Sequence, residues 1–552
     1  MSSAAEPPNR AAAWAAFEAG DWDRARELFE RLLQDGDDAD ARDGLGQVLW
    51  FLCEIDEGIA LREQAYAAFR QADDACRAGE IALWLAIEHV SSYGDAAVAN
   101  GWFRRGERLL DPLPRCAARV ELEVQRARRA PSQADAERHY ERALELAREL
   151  GQFDYEIRAL SQLGIHRVSS GDTEQGVALL DEAMAAATGG EMRDPWHIGG
   201  ACCSMLAVCD EIADLDRAAQ WCRVVVDFTR RRRWVPLFAW CRSAYAGVLT
   251  AGGEWELAEQ ELEASLRAYG GPGRPMAVYP LARLAELRLR QGRVDEAARL
   301  VAGHESHARA AAVAIEVQLA RGETAMARAA LDRRLMALPD DHPGAAGLLT
   351  LRVDVALADG DLPAARSAAD RLLALGRELG RETVVASAEL AAGRVCLAAG
   401  DDAAPAHLEV ALERFTSLGM PLEEGRARLE LARALAPVAA EPAAQEGRRA
   451  LALFEGLGAL RDADRAAAFL RSLGRPGRTG PRLEGELTNR EREVLALLGE
   501  GLSNAQIAER LVVTTKTAEH HVGRVLRKLG LKNRAEAAAH SVREGRARPG
   551  AE

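Results

Sequence analysis

A break in helix character, followed five residues later by a small side chain, recurs along almost the whole of this 552-residue chain. The clear copies are Gly20 to Ala25, Gly94 to Ala99, Gly171 to Gly176, Ala213 to Ala218, Gly253 to Ala258, Gly292 to Ala297, Gly322 to Ala327 and Gly360 to Ala365. Weaker copies begin at Ile55, at Pro131 and at Gly400, where Pro405 takes the place of the small residue. Most steps between copies are 35 to 42 residues, with one of 30. A final copy shows as Ala411-Leu412 with Phe415 and Leu418-Gly419, repeated as Ala450-Leu451 with Phe454 and Leu457-Gly458.

A period of this length is one supersecondary unit. The Gly-Asp pair supplies a turn and an N-terminal helix cap. The small residue lets two helices approach closely, and the Leu and Phe spacing after it, as in Ala25, Leu28, Phe29 and Leu32, makes one apolar stripe. No strand-like alternation interrupts the copies. One helix pair cannot bury its stripe alone, so the pairs are expected to stack into an all-α solenoid of about twelve pairs. The Gly-Asp-Trp/Leu-x-x-Ala helix start resembles the tetratricopeptide family, although the period is longer than is usual there. The expected boundaries are 8–470 for the array, 471–486 for a Gly/Pro/Arg-rich linker that cannot be helix interior, and 487–545 for a small C-terminal domain.

Composition narrows the function classes. The 71 basic residues are 68 Arg and 3 Lys, and the lysines are Lys516, Lys528 and Lys532. A phosphate-binding Gly-Lys-Ser/Thr loop and a lysine Schiff base in the first 515 residues are therefore excluded. From Pro481 to the end the net charge is +3, against −14 for the whole chain, so a polyanion surface is expected at that end only. The polar N-terminus does not read as a secretion signal and no apolar run is long enough to span a membrane. Nine cysteines without framework spacing fit reduced thiols, and a cytoplasmic location is expected. No catalytic grouping is present, so an enzyme is not expected, and no cofactor is called for.

The last segment reads as four short helices. Thr488 to Glu491 is a capping box opening a helix with Val494, Leu495, Leu497 and Leu498 on it, and Gly501 closes it. Ser503 to Gln506 is a second box, with Leu502 and Ile507 as a hydrophobic staple, before a helix Asn504 to Leu511. Val512 to Thr514 is a turn, a longer helix runs from Thr515 to Leu529, and Asn533 with Glu536 caps the last helix, Arg534 to Arg543. Helix, tight turn and longer helix is the helix-turn-helix order, whose second helix enters the major groove. On the long helix, Ala518, Val522, Val525 and Leu529 must pack inward, which leaves Lys516, Glu519, His520, Gly523 and Arg527 outward.

Leu487-Thr488, Arg490-Glu491, Glu493-Val494-Leu495, Gly501-Leu502-Ser503-Asn504, Ile507-Ala508, Lys516-Thr517, His521-Val522 and Arg527-Lys528-Leu529-Gly530 resemble a LuxR-type DNA-binding domain from end to end. The whole chain resembles the large LuxR-type regulators that carry degenerate helical repeats, here expected without their ATPase. The resemblance implies a DNA-binding set drawn from Asn504, Gln506, Thr514, Thr515, Lys516, Thr517, Glu519, His520, His521, Gly523, Arg524, Arg527 and Lys528. Thr514, Lys516, Thr517 and Lys528 would hold phosphates, which set register and salt dependence. Glu519 and Gly523 stand where many relatives carry lysine; a carboxylate there would accept from cytosine N4, and His520 would donate to guanine. The implied partners are double-stranded DNA, a second copy of the chain on that DNA, and RNA polymerase. The implied role is a transcriptional regulator, an activator before a repressor, whose array senses a protein or small-molecule effector. The alternative is an interaction scaffold with a vestigial DNA-binding domain.

Two further clusters carry candidate chemistry. Cys202, Cys203, Cys209, Cys222 and Cys241 read as core residues before a redox or metal sensor, and His304 with His307 lacks a second ligand pair. Trp196, Trp221, Trp234, Trp240 and Trp255, with Arg231 in an arginine run, read first as core packing and second as an effector groove between about residues 190 and 260.

Overall fold

The computed structural model describes residues 9–475, 489–511, 515–529 and 531–547, apart from 114, 233, 272–274, 306, 339–341, 343 and 532. All regular structure among them is helical, as the repeat predicts. The chain divides into two compact units, Met1–Leu457 and Gly458–Glu552. Among the described residues, the first holds twelve consecutive helix pairs, from Arg10–Ala19 with Trp22–Asp35 to Pro421–Leu435 with Ala440–Leu457.

The recurring break falls between the two helices of a pair. Gly20 sits in the left-handed region at φ 76° and ends the first helix. Asp21 then caps the second by accepting from the Arg24 amide at 3.3 Å, and Asp172 and Asp361 do the same for Gln175 and Ala364. Ala213 takes this left-handed conformation without being glycine, at φ 57°. The small residue marks where the two helices meet. Ala25, Ala99, Ala218, Ala258, Ala297, Ala327 and Ala365 are buried, and so is Gly176. In the second pair the buried small residue is Gly58, not Ala60, and in the eleventh it is Ala404, one place before Pro405, so at Ile55 and Gly400 the register is shifted.

First helices of many successive pairs pack on one another, as Phe153–Ser169 does on Pro195–Ile212. Many are buried on more than one side, as in Phe153–Ser169, where eleven residues are buried. The second helices carry one buried stripe and a charged face, as in Trp22–Asp35.

The array also winds until later pairs meet earlier ones. The Trp196 indole N–H, in the sixth pair, donates to Gln47 Oε1 of the second at 3.1 Å. Trp234 packs against Trp22 and Phe51 with ring centroids 5.9 and 6.0 Å apart. Gly171 of the fifth pair lies so close to the Leu379 carbonyl of the tenth that a Cβ would collide with it. The Thr383 hydroxyl donates to the Glu211 carbonyl at 3.2 Å, and Arg381 pairs with the Glu211 carboxylate. Arg290 pairs with Glu423 at 3.4 Å.

This winding assigns the tryptophans to core packing. Trp234 and Trp255 are buried, and the Trp255 indole donates to Thr250 O. Trp196 is sandwiched between Trp50 and Trp84, and Trp221 donates to Asp181 at 2.8 Å. Trp240 stacks on Tyr279. The side chain of Arg231 lies outside the described residues. Cys202, Cys209, Cys222 and Cys241 are buried, and loss of water pushes the thiols of Cys209 and Cys222 up to about 12, so they stay protonated and act as small apolar groups. His304 and His307, expected from their spacing of three on a helix, sit instead in the turn before Ala308–Ala320.

One cysteine expectation is corrected. Cys76 and Cys116 form a disulfide, and seven cysteines are free. The two are 40 residues apart, about one repeat, so stacking brings equivalent places of neighbouring pairs together. A spacing read as a framework of short loops does not reveal this. No helix of the described residues is long and apolar enough to cross a membrane.

Candidate nucleic-acid interface

The second unit contains Leu460–Ser472 and then four helices, Asn489–Gly499, Asn504–Leu511, Thr515–Lys528 and Arg534–Ala547. The last four correspond to the helices read from the sequence, the final one running four residues further. They share one core of Val494, Leu495, Leu497, Leu498, Ile507, Ala508, Ala518, Val522, Val525 and Ala537. Leu502, Leu511, Leu526, Leu529 and Leu531 close its edge. Asn489–Gly499 packs against both Thr515–Lys528 and Arg534–Ala547. At the latter contact, a Cβ on Gly499 would stand 2.5 Å from Ser541 Oγ.

Local chemistry fixes the helix starts. The Ser503 amide donates to Gln506 Oε1 at 2.8 Å and the Gln506 amide to Ser503 Oγ at 3.4 Å, which is the reciprocal capping box. Ile507 is fully buried beside Leu502, as a staple requires. The Glu536 amide donates to Asn533 Oδ1 at 3.0 Å and caps the last helix. Arg534 donates to the Leu502 carbonyl and ties the last helix to the turn before the second. The first expected box, at Thr488, lies outside the described residues.

The long helix has one buried side and one open side. Ala518 and Val525 are fully buried and Val522 nearly so, a spacing of four and three that faces one way. Glu519 and Gly523 are exposed, and a Cβ on Gly523 would meet nothing within 4 Å. Close approach of a ligand backbone is therefore open at Gly523. His521 is half-buried, at the margin between the two sides. Gln506 is exposed but already uses its side-chain oxygen in the capping box, which leaves its amide nitrogen for a ligand. Asn504 is half-buried, and its Oδ1 is buried with no hydrogen-bond partner. Thr514 lies outside the described residues, as do the side chains of Thr515, Lys516, Thr517, His520, Arg524, Arg527 and Lys528; the backbones of these seven form the helix itself.

Residues 485–541 match the profile of the family described as bacterial regulatory proteins, luxR family. Over 60 residues the chain is 50% identical to the transcriptional regulatory protein LnrK of Bacillus subtilis, a stretch that is 11% of this chain and 27% of that protein. It is 46% identical over 63 residues to the DNA-binding transcriptional activator DevR/DosR of Mycobacterium tuberculosis, covering 11% of this chain and 29% of the relative. It is 42% identical over 89 residues to the putative HTH-type transcriptional regulator Rv0890c of the same species, covering 16% of this chain and 10% of the relative. The chain thus spans less than a third of the length of each of these relatives. Among solved structures, a Rap protein complexed with competence and sporulation factor aligns with 76% of this chain and 98% of its own, at 13% identity and TM-score 0.40. The Cut9-Hcn1 complex aligns with 83% of this chain and 95% of its own, at 13% identity and TM-score 0.37. The C-terminal segment is a LuxR-type helix-turn-helix domain.

Proposed function

We propose that this protein is a sequence-specific, DNA-binding regulator of transcription. The observation that carries the reading is the division of Thr515–Lys528: Ala518, Val522 and Val525 hold it to the domain while Glu519 and Gly523 face outward, on a segment matching the luxR family. The outward side enters the major groove, where Glu519 accepts from cytosine N4 and His520 donates to guanine. Thr514, Lys516, Thr517 and Lys528 hold phosphates and give the complex its salt dependence. Asn504 and Gln506 meet the backbone from the preceding helix, and Thr515, His521, Arg524 and Arg527 complete the contact surface.

Two copies bind a site with two-fold character, and the protein acts in the cytoplasm as an activator that contacts RNA polymerase. In this reading the repeat array spans 8–470, the linker 471–486 and the DNA-binding domain 487–545. The array senses an effector that prefers one arrangement of the chain and so shifts the population able to engage DNA. Genome-wide mapping of bound DNA tests the reading. Discrete peaks are expected for the wild-type chain and none for Lys516→Ala with Thr517→Ala. Weak, uniform binding that the double substitution leaves unchanged refutes it, in favour of the scaffold.

A further inference from the structure

In the first unit the winding lines a half-open cavity of about 790 Å³. Its wall takes Arg128 and Tyr140 from the fourth pair, His166 from the fifth, Asp210 from the sixth, Tyr279 from the eighth and Arg309 from the ninth. No single pair or neighbouring couple could form it. Its size falls within the range of small-molecule sites and is too small for a folded partner.

The charges on this wall are unequal in their commitments. Asp210 pairs with Arg283 and stands 3.7 Å from Arg309. Arg309 also reaches Glu286 at 3.4 Å and lies 5.7 Å from the centre of the Tyr279 ring. Glu211, on the rim, is engaged by Arg381. Arg128 differs from these. Arg128 is exposed and donates to Gln162 Oε1 at 2.6 Å, the Tyr140 hydroxyl and the Glu121 carboxylate favour its charge, and no ion pair within 4 Å joins it among the described residues. Desolvation by the surrounding wall, and then the positive charge of Arg158, outweigh these and disfavour its charge. An arriving anion would relieve the repulsion and replace the missing solvation. Arg381, also on the wall, is buried with its Nε lacking any hydrogen-bond partner.

We propose that this cavity binds a small molecule bearing a carboxylate or phosphate group, with the anion on Arg128 and the body of the ligand against the rings of Tyr140 and Tyr279. A guanidinium presents a planar fork that matches either oxyanion, and the rings supply apolar surface at fixed positions. The inference rests on the sensing role given above and supplies its ligand class. Because the wall joins pairs from successive turns of the winding, an occupant stabilises the closed winding by its differential affinity for it.

Calorimetric titration of the full-length protein without DNA, with citrate and separately with inorganic phosphate, tests the site. Saturable binding at one site is expected. Arg128→Gln should weaken it at least about tenfold, the loss of one charge-assisted contact, and Arg128→Lys by less. Arg104→Gln, at a side chain 70% exposed in the third pair, should leave affinity unchanged. Circular dichroism checks that each variant folds. Tighter binding of citrate assigns a carboxylate ligand, and tighter binding of phosphate a phosphorylated one. Absence of saturable binding by both anions, or equal affinity of wild type and Arg128→Gln, overturns the proposal. Saturable, Arg128-dependent binding that leaves DNA affinity unmoved keeps the site and removes the sensing role.

Discussion

Replacing Gly176 by alanine isolates why the repeat carries a small residue at its fixed place. Gly176 lies in the first turns of Thr173–Gly189, and its partner across the pair is Gly164 of Phe153–Ser169. A Cβ on Gly176 would stand 2.6 Å from both the Gly164 carbonyl oxygen and Val168 Cγ2, and 2.7 Å from the Val168 amide nitrogen. Ordinary contact begins near 3.4 Å, so the two helices must part by about 0.8 Å, and two of the three obstructing atoms are backbone that cannot rotate away. Overpacking of this kind costs about 1–3 kcal/mol. Against it stands the gain of about 1 kcal/mol from replacing glycine by alanine inside a helix. The difference is a loss of about 0–2 kcal/mol, so about 1 kcal/mol is expected. Gly101, in the helix Ala96–Leu110, is the control, because a Cβ there meets nothing within 4 Å and only the helix gain operates.

Stability in a repeat array is local, so hydrogen exchange read peptide by peptide is the suitable assay. Amides of Thr173–Gly189 should exchange about fivefold faster in Gly176→Ala, and those of Ala96–Leu110 about fivefold slower in Gly101→Ala. If both variants slow exchange alike, close helix approach is not the reason for the small residue, and the account of the repeat given above is wrong.

Other outcomes follow from the same structure. Glu519→Lys places a cation on the exposed side of the long helix; non-specific DNA binding should tighten and the slope of log affinity against log salt should steepen by about 0.9, read by fluorescence anisotropy across a salt series. Ala213→Gly should stabilise the sixth pair by about 0.5–1 kcal/mol, because alanine now holds φ 57°, and slowed exchange in Pro195–Ile212 would report it. Buried His197 pairs with Asp194 at 2.9 Å; burial lowers the pKa of His197, but the carboxylate outweighs it and the net shift is upward, while that of Asp194 is downward. The pair's contribution is therefore present below about pH 6.5 and is lost as pH rises through the folded His197 value, and at the acid end is lost as pH falls through the folded Asp194 value. Urea unfolding should show wild type losing stability relative to His197→Gln as pH rises above about 6.5, and parallel curves for the two would refute the pairing.

The repeat, its turns and the four terminal helices were legible in the sequence because each depends on neighbours a few residues apart. Glycine in the left-handed region, aspartate on the next amides and an apolar stripe need no knowledge of distant residues, and the Ser503–Gln506 box formed as read. Where the copies were weak, at Ile55 and Gly400, the register slipped: no glycine precedes Ile55 to mark the break, and after Gly400 a proline stands at the expected place, so the buried small residue is its neighbour Ala404. The pairing of Cys76 with Cys116, the role of the tryptophans and the cavity around Arg128 were decided by the winding. Each joins residues from tens to more than a hundred positions apart, and which pairs meet depends on small rotations between neighbours summed over many repeats. No local pattern encodes that sum, so the sequence determined the unit and the order of its copies, while the tertiary structure determined what the copies enclose.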